Sequence, residues 1–534
     1  MATPVSRRAL LRAAGLAGGV GAAALASAPA SAASTGSARA ASAGFRRSDR
    51  PRLTHGVQSG DVTADGAVVW TRADRPARMW VQVSATGRFG SRDRVRTIPG
   101  PLLLPGSDFT GRVELSGLPA GRDVPYRVVL TEPDSHRPDG EHELGRVRTA
   151  ARDQRDVRFL WSGDQSGQGW GRNPDLGGFP IYRAMLARRP DFFLHSGDSI
   201  YADGPITGDV VLPDGSIYRN VIEEAKTHVA QTLDDFRGAY KYNLGDAGMR
   251  RFLAEVPLVS QWDDHEVHNN WYPGQHLDDV RYTETDVDVL ARRAFRAWSE
   301  FAPVSRTTAT QGQVYRTISY GPLLDVFVID MRSFRDPNSP GLQTGPIAPD
   351  GGILGTEQAR WLVSALARSK ATWKVIQSDM PLGLVVPDGA VNIEAVAQGA
   401  PGAPVGREHQ IAWILQQIKH RKIRNTVWLT ADVHYTAAHH YDPARAAFTD
   451  FDPFWEFVSG PLHAGAFGPN ALDPTFGPSQ EFAAVPPHAN TSPLEGSQFF
   501  GEVNIDGDHH DLTVVLRDIA GKALWQKTLP AAHR

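Results

Sequence analysis

Phe192-Phe193-Leu194-His195-Ser196-Gly197-Asp198 joins a short apolar run to a small-residue turn that ends in a carboxylate. The run has the length of a buried strand, and Gly197 lets the chain bend sharply where the strand stops. Three other stretches share this pattern: Phe159-Leu160-Trp161-Ser162-Gly163-Asp164, Leu258-Val259-Ser260-Gln261-Trp262-Asp263-Asp264-His265-Glu266, and Val427-Trp428-Leu429-Thr430-Ala431-Asp432-Val433-His434. Carboxylates that meet at strand ends repel one another unless a cation lies between them. Four such turns in one chain imply a shared metal centre at the carboxyl edge of a sheet.

Outward from these strands, apolar runs alternate with helical patterns from about residue 156, which predicts an α/β arrangement. Helices are predicted over Pro180–Arg189, Asp286–Phe301, Thr356–Ser369 (with Thr356 as its cap) and Arg407–Lys422, with further strands at Leu323–Asp330, Trp373–Gln377 and Leu512–Arg517. Residues 53–150 read differently. Short alternating runs such as Val68-Val69-Trp70-Thr71-Arg72 and Met79-Trp80-Val81-Gln82-Val83-Ser84 are separated by Asp65-Gly66, Thr86-Gly87 and Pro138-Asp139-Gly140. That spacing predicts a fibronectin- or immunoglobulin-like β-sandwich. The expected order is therefore a β-sandwich at 53–150, then a larger α/β domain at 156–534.

The N-terminus reads as an address rather than structure. Ser6-Arg7-Arg8-Ala9-Leu10-Leu11-Arg12 precedes an Ala/Gly-rich stretch and an Ala30-Ser31-Ala32 cleavage pattern. This predicts a twin-arginine export signal at residues 1–32, a flexible start at 33–52, and a secreted or cell-wall-associated product. Loss of Arg7, Arg8 and Arg12 takes the formal charge from -3 to -6. Such a balance excludes a polybasic grip on nucleic acid, and no apolar run is long enough for a membrane span. With 0 cysteines, disulfides, thiolate metal sites and a cysteine nucleophile are all excluded.

Among the strand-end residues, Asp198 is the expected bridge between two cations, with Tyr201 offering a phenolate to a hard trivalent ion. Asp164 adds a terminal carboxylate. Asp432 and His434 alternate along extended backbone, so both point the same way. Asp264-His265 sets a ligand beside an imidazole free to face substrate. Asp263 is expected to support Asp264 by a hydrogen bond, and Glu266 and His268 to be structural or exposed. His195 either joins the network or sits beneath the sheet edge; Trp262 and Trp271 either wall the pocket or fill core. The pairs His439-His440 and His509-His510 are set aside, the first because adjacent strand residues face opposite sides and the second as a solvated turn.

Asp198-Ser199-Ile200-Tyr201, Trp262-Asp263-Asp264-His265-Glu266-Val267 with Asn269-Asn270-Trp271, and Asp432-Val433-His434 together resemble the PhoD-type alkaline phosphatase/phosphodiesterase family. The opening Gly56-Val57-Gln58-Ser59-Gly60-Asp61 with Val69-Trp70-Thr71-Arg72 looks like that family's N-terminal β-domain. The resemblance implies a four-layer α/β/β/α metallophosphatase core and a centre holding Ca2+ with Fe3+. It places Asp164, Asp198, Tyr201 and His434 on one metal, Asp198, Asp264 and Asp432 on the other, and His265 beside the phosphate. Asn269 and Asn270 would donate to a phosphate oxygen or ligate calcium through their carbonyls. One departure stands out: Asp164 occupies the position where the family usually has a cysteine ligand, which leaves the first metal's identity open.

The expected reaction is hydrolysis of phosphate mono- and diesters by a hydroxide held between two metals. No P-loop and no Gly-x-Ser-x-Gly elbow argues for another route. A phospholipase-type diesterase would use the same centre. A non-catalytic secreted module with structural calcium is the alternative from a different class, and His265 argues against it.

Overall fold

The computed structural model describes residues 50–90, 92–344 and 352–532. The expected export signal at 1–32, and nearly all of the expected flexible start at 33–52, lie outside the described residues.

Two large sheets lie face to face. In the first, strands Val157–Ser162, Phe192–Ser196 and Leu258–Gln261 run parallel. In the second, Leu324–Val328, Trp373–Gln377, Thr426–Thr430 and Phe454–Val458 do the same. Parallel strands are covered on both faces, which explains their near-continuous apolar sequences. Alternate side chains divide the burial. Phe159, Trp161, Leu194 and Val259 meet Val326, Val375, Val427 and Leu429 between the sheets. Leu160, Phe193 and Leu258 pack outward on helices Leu233–Leu244, Ala247–Glu255 and Val287–Phe301. On the other side, Phe327, Ile376 and Trp428 pack on Gly355–Arg368 and Glu408–His420. The result is the helix–sheet–sheet–helix order expected of the α/β domain.

The N-terminal module is a sandwich as predicted, but it does not stand apart. Its four-stranded sheet presents Met79, Val81, Tyr126 and Val128 to Val57, Val69 and Val113. The opposing strands Leu53–Gly60, Ala67–Ala73 and Thr110–Leu115 continue the first large sheet, which thereby reaches nine strands. The junction is the parallel pairing of Gly60 with Leu258. Trp70 reinforces it by donating from Nε1 to the Glu300 carbonyl at 2.7 Å and packing on Phe301. A break in sequence pattern near residue 150 is therefore not a break in the sheet, because strand partners distant along the chain leave no local signal.

The four predicted helices are present within two residues or so of their expected ends. Thr356 is not a cap, however. The Ile353 and Leu354 amides at that helix start donate instead to the Gln410 side chain, at 3.0 and 2.7 Å. The helix Leu233–Leu244, not anticipated from sequence, opens with a reciprocal box in which Thr232 and Asp235 exchange side-chain and backbone bonds. Among the described residues no helix is long and apolar enough to cross a membrane. Replacing Trp70→Ala should cost about 3–5 kcal/mol of stability, read as a lower denaturant midpoint at unchanged slope; an unaltered midpoint would show that the junction contributes nothing.

Candidate metal centre

The parallel strands of both sheets end at the same edge, so their terminal turns face one another across the sandwich. Asp164, Asp198 and Asp264 follow strands of the first sheet, and Asp432 and His434 follow a strand of the second. Asp164, Asp198, Asp432 and His434 have φ of 66, 52, 68 and 61°, in the left-handed region. That conformation costs a non-glycine residue roughly 1–2 kcal/mol, so tertiary contacts must enforce it. Close approach matters as much. A Cβ on Gly197 would lie 2.3 Å from the Asp263 Cβ, and one on Gly460 would lie 1.9 Å from Asp164 Oδ2.

The resulting arrangement suits paired cations. Asp164, Asp198 and His434 offer ligand atoms within 4.8 Å of one another; so do Asp198, Asp264 and His265, and so do Asp263, Asp264 and Asp432. Asp198 belongs to the first two groups, as a bridging carboxylate must. Among the described residues the buried Asp164 Oδ2 has no hydrogen-bond partner, which leaves an unsatisfied acceptor on this carboxylate. Burial, and then the neighbouring carboxylates, push the Asp164, Asp198 and Asp432 carboxyl groups well above the usual range. A cation would reverse that effect. His434 bonds through Nδ1 to the Gly465 carbonyl, which places the proton there and frees Nε2. Nε2 faces the Tyr201 hydroxyl at 2.8 Å and Asp164 Oδ1 at 4.0 Å. Burial lowers its pKa to about 4, so His434 is a neutral imidazole fit to bind metal. The donor set therefore fits a dinuclear centre.

Two residues outside the expected ligand set hold these groups in place. Arg332 is fully buried and pairs with Asp263 at 2.6 Å, Asp379 and Asp432 at 3.2 Å each, and Glu394. It thus occupies one side of the group formed by Asp263, Asp264 and Asp432. Asp263 also accepts the Asp264 amide at 2.9 Å, the supporting bond foreseen for it. Glu266, buried rather than exposed, accepts the amides of Ser199, Asp263 and Asp198 at 2.6, 2.7 and 3.1 Å and the Ser199 hydroxyl. One carboxylate thereby ties two strand-end turns together. The strand-end rule itself would have found Asp330 and Asp379, which follow Leu324–Val328 and Trp373–Gln377. Arg332 had no such signal.

His265 directs Nδ1 to Asp203 at 2.7 Å. Burial opposes its charged form, but Asp203 and Asp264 outweigh burial and push its pKa up to about 10. Asp203, absent from the sequence reading, also accepts the Asn269 amide at 2.9 Å. His265 and Asp203 line an open cleft of about 910 Å³ whose rim includes Asn269. Asn270 gives its backbone amide to Asp264 at 2.6 Å, while its side chain is spent on Asp388 at 3.1 Å. Its contribution is thus to hold Asp264. Trp262 and Trp271 are core: they pack on each other, and Trp262 also packs on Phe295. His195 is buried with its ring edge-on to Phe193. His439 is buried against Glu456 while His440 lies on Trp455, on opposite faces of their strand. His509 is exposed.

A four-layer sandwich with acidic and imidazole ligands at apposed strand ends defines a metallophosphatase-like protein. Residues 159–516 match the profile of the PhoD-like phosphatases, and residues 37–151 match that of their N-terminal domain. The chain belongs to the PhoD-like phosphatase family and is a phosphoric ester hydrolase. It is similar to alkaline phosphatase D of Bacillus subtilis (strain 168), with 27% identity over 445 residues, covering 78% of this chain and 70% of that protein. Among solved structures, that of PhoD superposes with a TM-score of 0.65 at 21% identity, covering 90% of this chain and 89% of the other. Purple acid phosphatase PPD1 from yellow lupin (Lupinus luteus) seeds superposes with a TM-score of 0.52 at 13% identity, covering 90% and 74%. These superpositions bear on the fold.

Glu266→Gln sets an amide donor against amides that need an acceptor, so it should destabilise the protein by about 1–3 kcal/mol and weaken metal binding, measured by thermal melting and metal titration. The histidine dyad gives a pH signature. His265 has a folded pKa of about 10 against 6.5 for the free side chain, so its contribution is complete below pH 6.5 and is lost as pH rises through about 10. In metal-free protein, Asp203→Asn should lower the imidazole titration by roughly a unit or more, followed by NMR. An unmoved titration would rule out the pairing.

Proposed function

We propose that this phosphatase hydrolyses phosphate mono- and diesters at two cations held by its strand-end residues. Asp164, Asp198, Tyr201 and His434 form one donor set, and Asp198, Asp264 and Asp432 the other. The observation that carries this reading is the position of Asp198, common to two ligand groups, beside a histidine outside the first of them. The second set is all oxygen and suits Ca2+. The first adds a phenol and an imidazole and suits Fe3+, with Asp164 where the family usually has cysteine.

When bound, such cations acidify a water and offset charge on the phosphoryl oxygens. The chain supplies the rest. Asp198 Oδ1 accepts the His265 amide at 3.1 Å, which fixes that backbone against the bridge. Asp203 holds His265 Nδ1, leaving Nε2 to give a proton to the departing alkoxide. Tyr201 lies against His265 with ring centroids 4.2 Å apart, restricting the imidazole from one side. A cleft of about 910 Å³ leaves room for the second arm of a diester, which supports diesterase as well as monoesterase activity. A scaffold with purely structural calcium would have no use for the buried His265–Asp203 pair. Export by the twin-arginine route, supported by Ser6-Arg7-Arg8 and the apolar stretch after it, completes the proposal.

Asp198→Asn should abolish metal occupancy and turnover together, measured by elemental analysis and para-nitrophenyl phosphate hydrolysis. His265→Ala should keep its metal and lose on the order of 10²–10⁴ in kcat. Full activity in either variant would overturn the assignment. Iron with a broad visible band would support tyrosinate ligation, whereas zinc alone would reassign the first metal.

A further inference from the structure

The cleft over His265 carries an unusual charge balance for a protein that acts on anions. Its described lining has three carboxylates, Asp203, Asp278 and Asp279, against one guanidinium, Arg281, and two imidazoles, His265 and His268, with no lysine. Asp203 is committed to His265 and to the Asn269 amide. Arg281 is committed as well: it pairs with Asp279 at 2.7 Å and donates to the Asp203 carbonyl at 3.2 Å. His268 turns one ring nitrogen to the Asn269 carbonyl and stands 4.0 Å from Asp279. Asp278 is exposed on the wall. Leu277, Val280 and Phe467 supply apolar lining between these polar groups.

Beyond the metal centre, then, a substrate meets net negative charge and apolar surface. A second phosphate on the substrate would find no uncommitted cation among the described lining residues. It would approach the exposed carboxylate of Asp278, a repulsion that salt screens. A neutral arm would lie on Leu277, Val280 and Phe467 without that cost, and a cationic arm would gain from Asp278.

We infer that the cleft selects esters with a single phosphoryl group and a neutral or cationic remainder, and rejects polyphosphates and nucleic acids, with Asp278 a specificity-determining residue. The inference rests on the phosphatase reading of the same site.

Matched substrates that differ by one remote phosphate test it. Thymidine monophosphate against thymidine bisphosphate is the monoester pair, read by phosphate release from the metal-loaded enzyme. Their para-nitrophenyl esters are the diester pair. At low salt, kcat/KM should fall on the order of tenfold or more when the remote phosphate is present, and the gap should shrink as salt rises. Asp278→Lys should narrow the gap severalfold, whereas Asp278→Asn should do so by less. Equal or faster turnover of the bisphosphate, or a gap that Asp278→Lys leaves unchanged, overturns this inference and leaves the phosphatase reading intact. Absence of turnover with every ester overturns both.

Discussion

Mutual repulsion among acidic groups is the constraint around which this molecule is organised. Asp164, Asp198, Asp263 and Asp264 are buried together, with Asp432 completing the cluster. No single element could hold them there. Two sheets do, each bringing several parallel strands to the same edge and turning them sharply into left-handed conformations. The cost of that geometry is met by the apolar layer between the sheets, where Trp161, Leu194 and Val259 pack against Val375, Val427 and Leu429. Burial of large side chains contributes about 1.5–3 kcal/mol each, enough for a large core to sustain a few strained, charged turns.

The supporting charges divide the labour. Arg332 balances one side of the cluster permanently, pairing with Asp263 and Asp432 and leaving the other side electrostatically incomplete. Among the described residues Asp164 and Asp198 have no arginine partner, and burial with neighbouring carboxylates disfavours their ionised form. Glu266 works through geometry instead: it collects backbone donors from two turns and thereby fixes Asp198 relative to Asp264. His265 stands outside this scaffold, held from behind by Asp203 and open to the cleft. Rigidly held carboxylates beside an imidazole that lines the cleft form an arrangement that suits the proposed hydrolytic centre.

The N-terminal module acts on the same frame from farther away. Its strands extend the sheet that carries Asp164, Asp198 and Asp264, and so cover an edge that would otherwise stand unpaired. Gly60 marks how tightly the parts join: a Cβ there would lie 2.4 Å from the Pro303 carbonyl and 2.5 Å from that of Leu258. The module therefore belongs to the structural support of the centre, although none of the proposed ligands comes from it.

Local chemistry made much of this legible without coordinates. An apolar run that stops at a carboxylate announces both a buried strand and a reactive end, so Asp164, Asp198, Asp264, Asp432 and His434 stood out as residues. The α/β alternation of their strands with helices was readable from the same runs, as was the helix ending at Phe301. What the chain alone could not show were relationships set by distance in space. Arg332 reaches Asp432 across 100 residues, Glu266 reaches Ser199 across 67, and Asp203 reaches His265 across 62. Arg332 and Asp203 end no apolar run, and Glu266, although it closes the third strand-end stretch, carries no local sign of its distant partner. Residue type and spacing therefore determined which groups could bind and react. Tertiary structure alone decided which charges balance, which hydrogen bonds lock the turns, and where the sandwich fuses with the sheet, because those energies depend on separation in space and not along the chain.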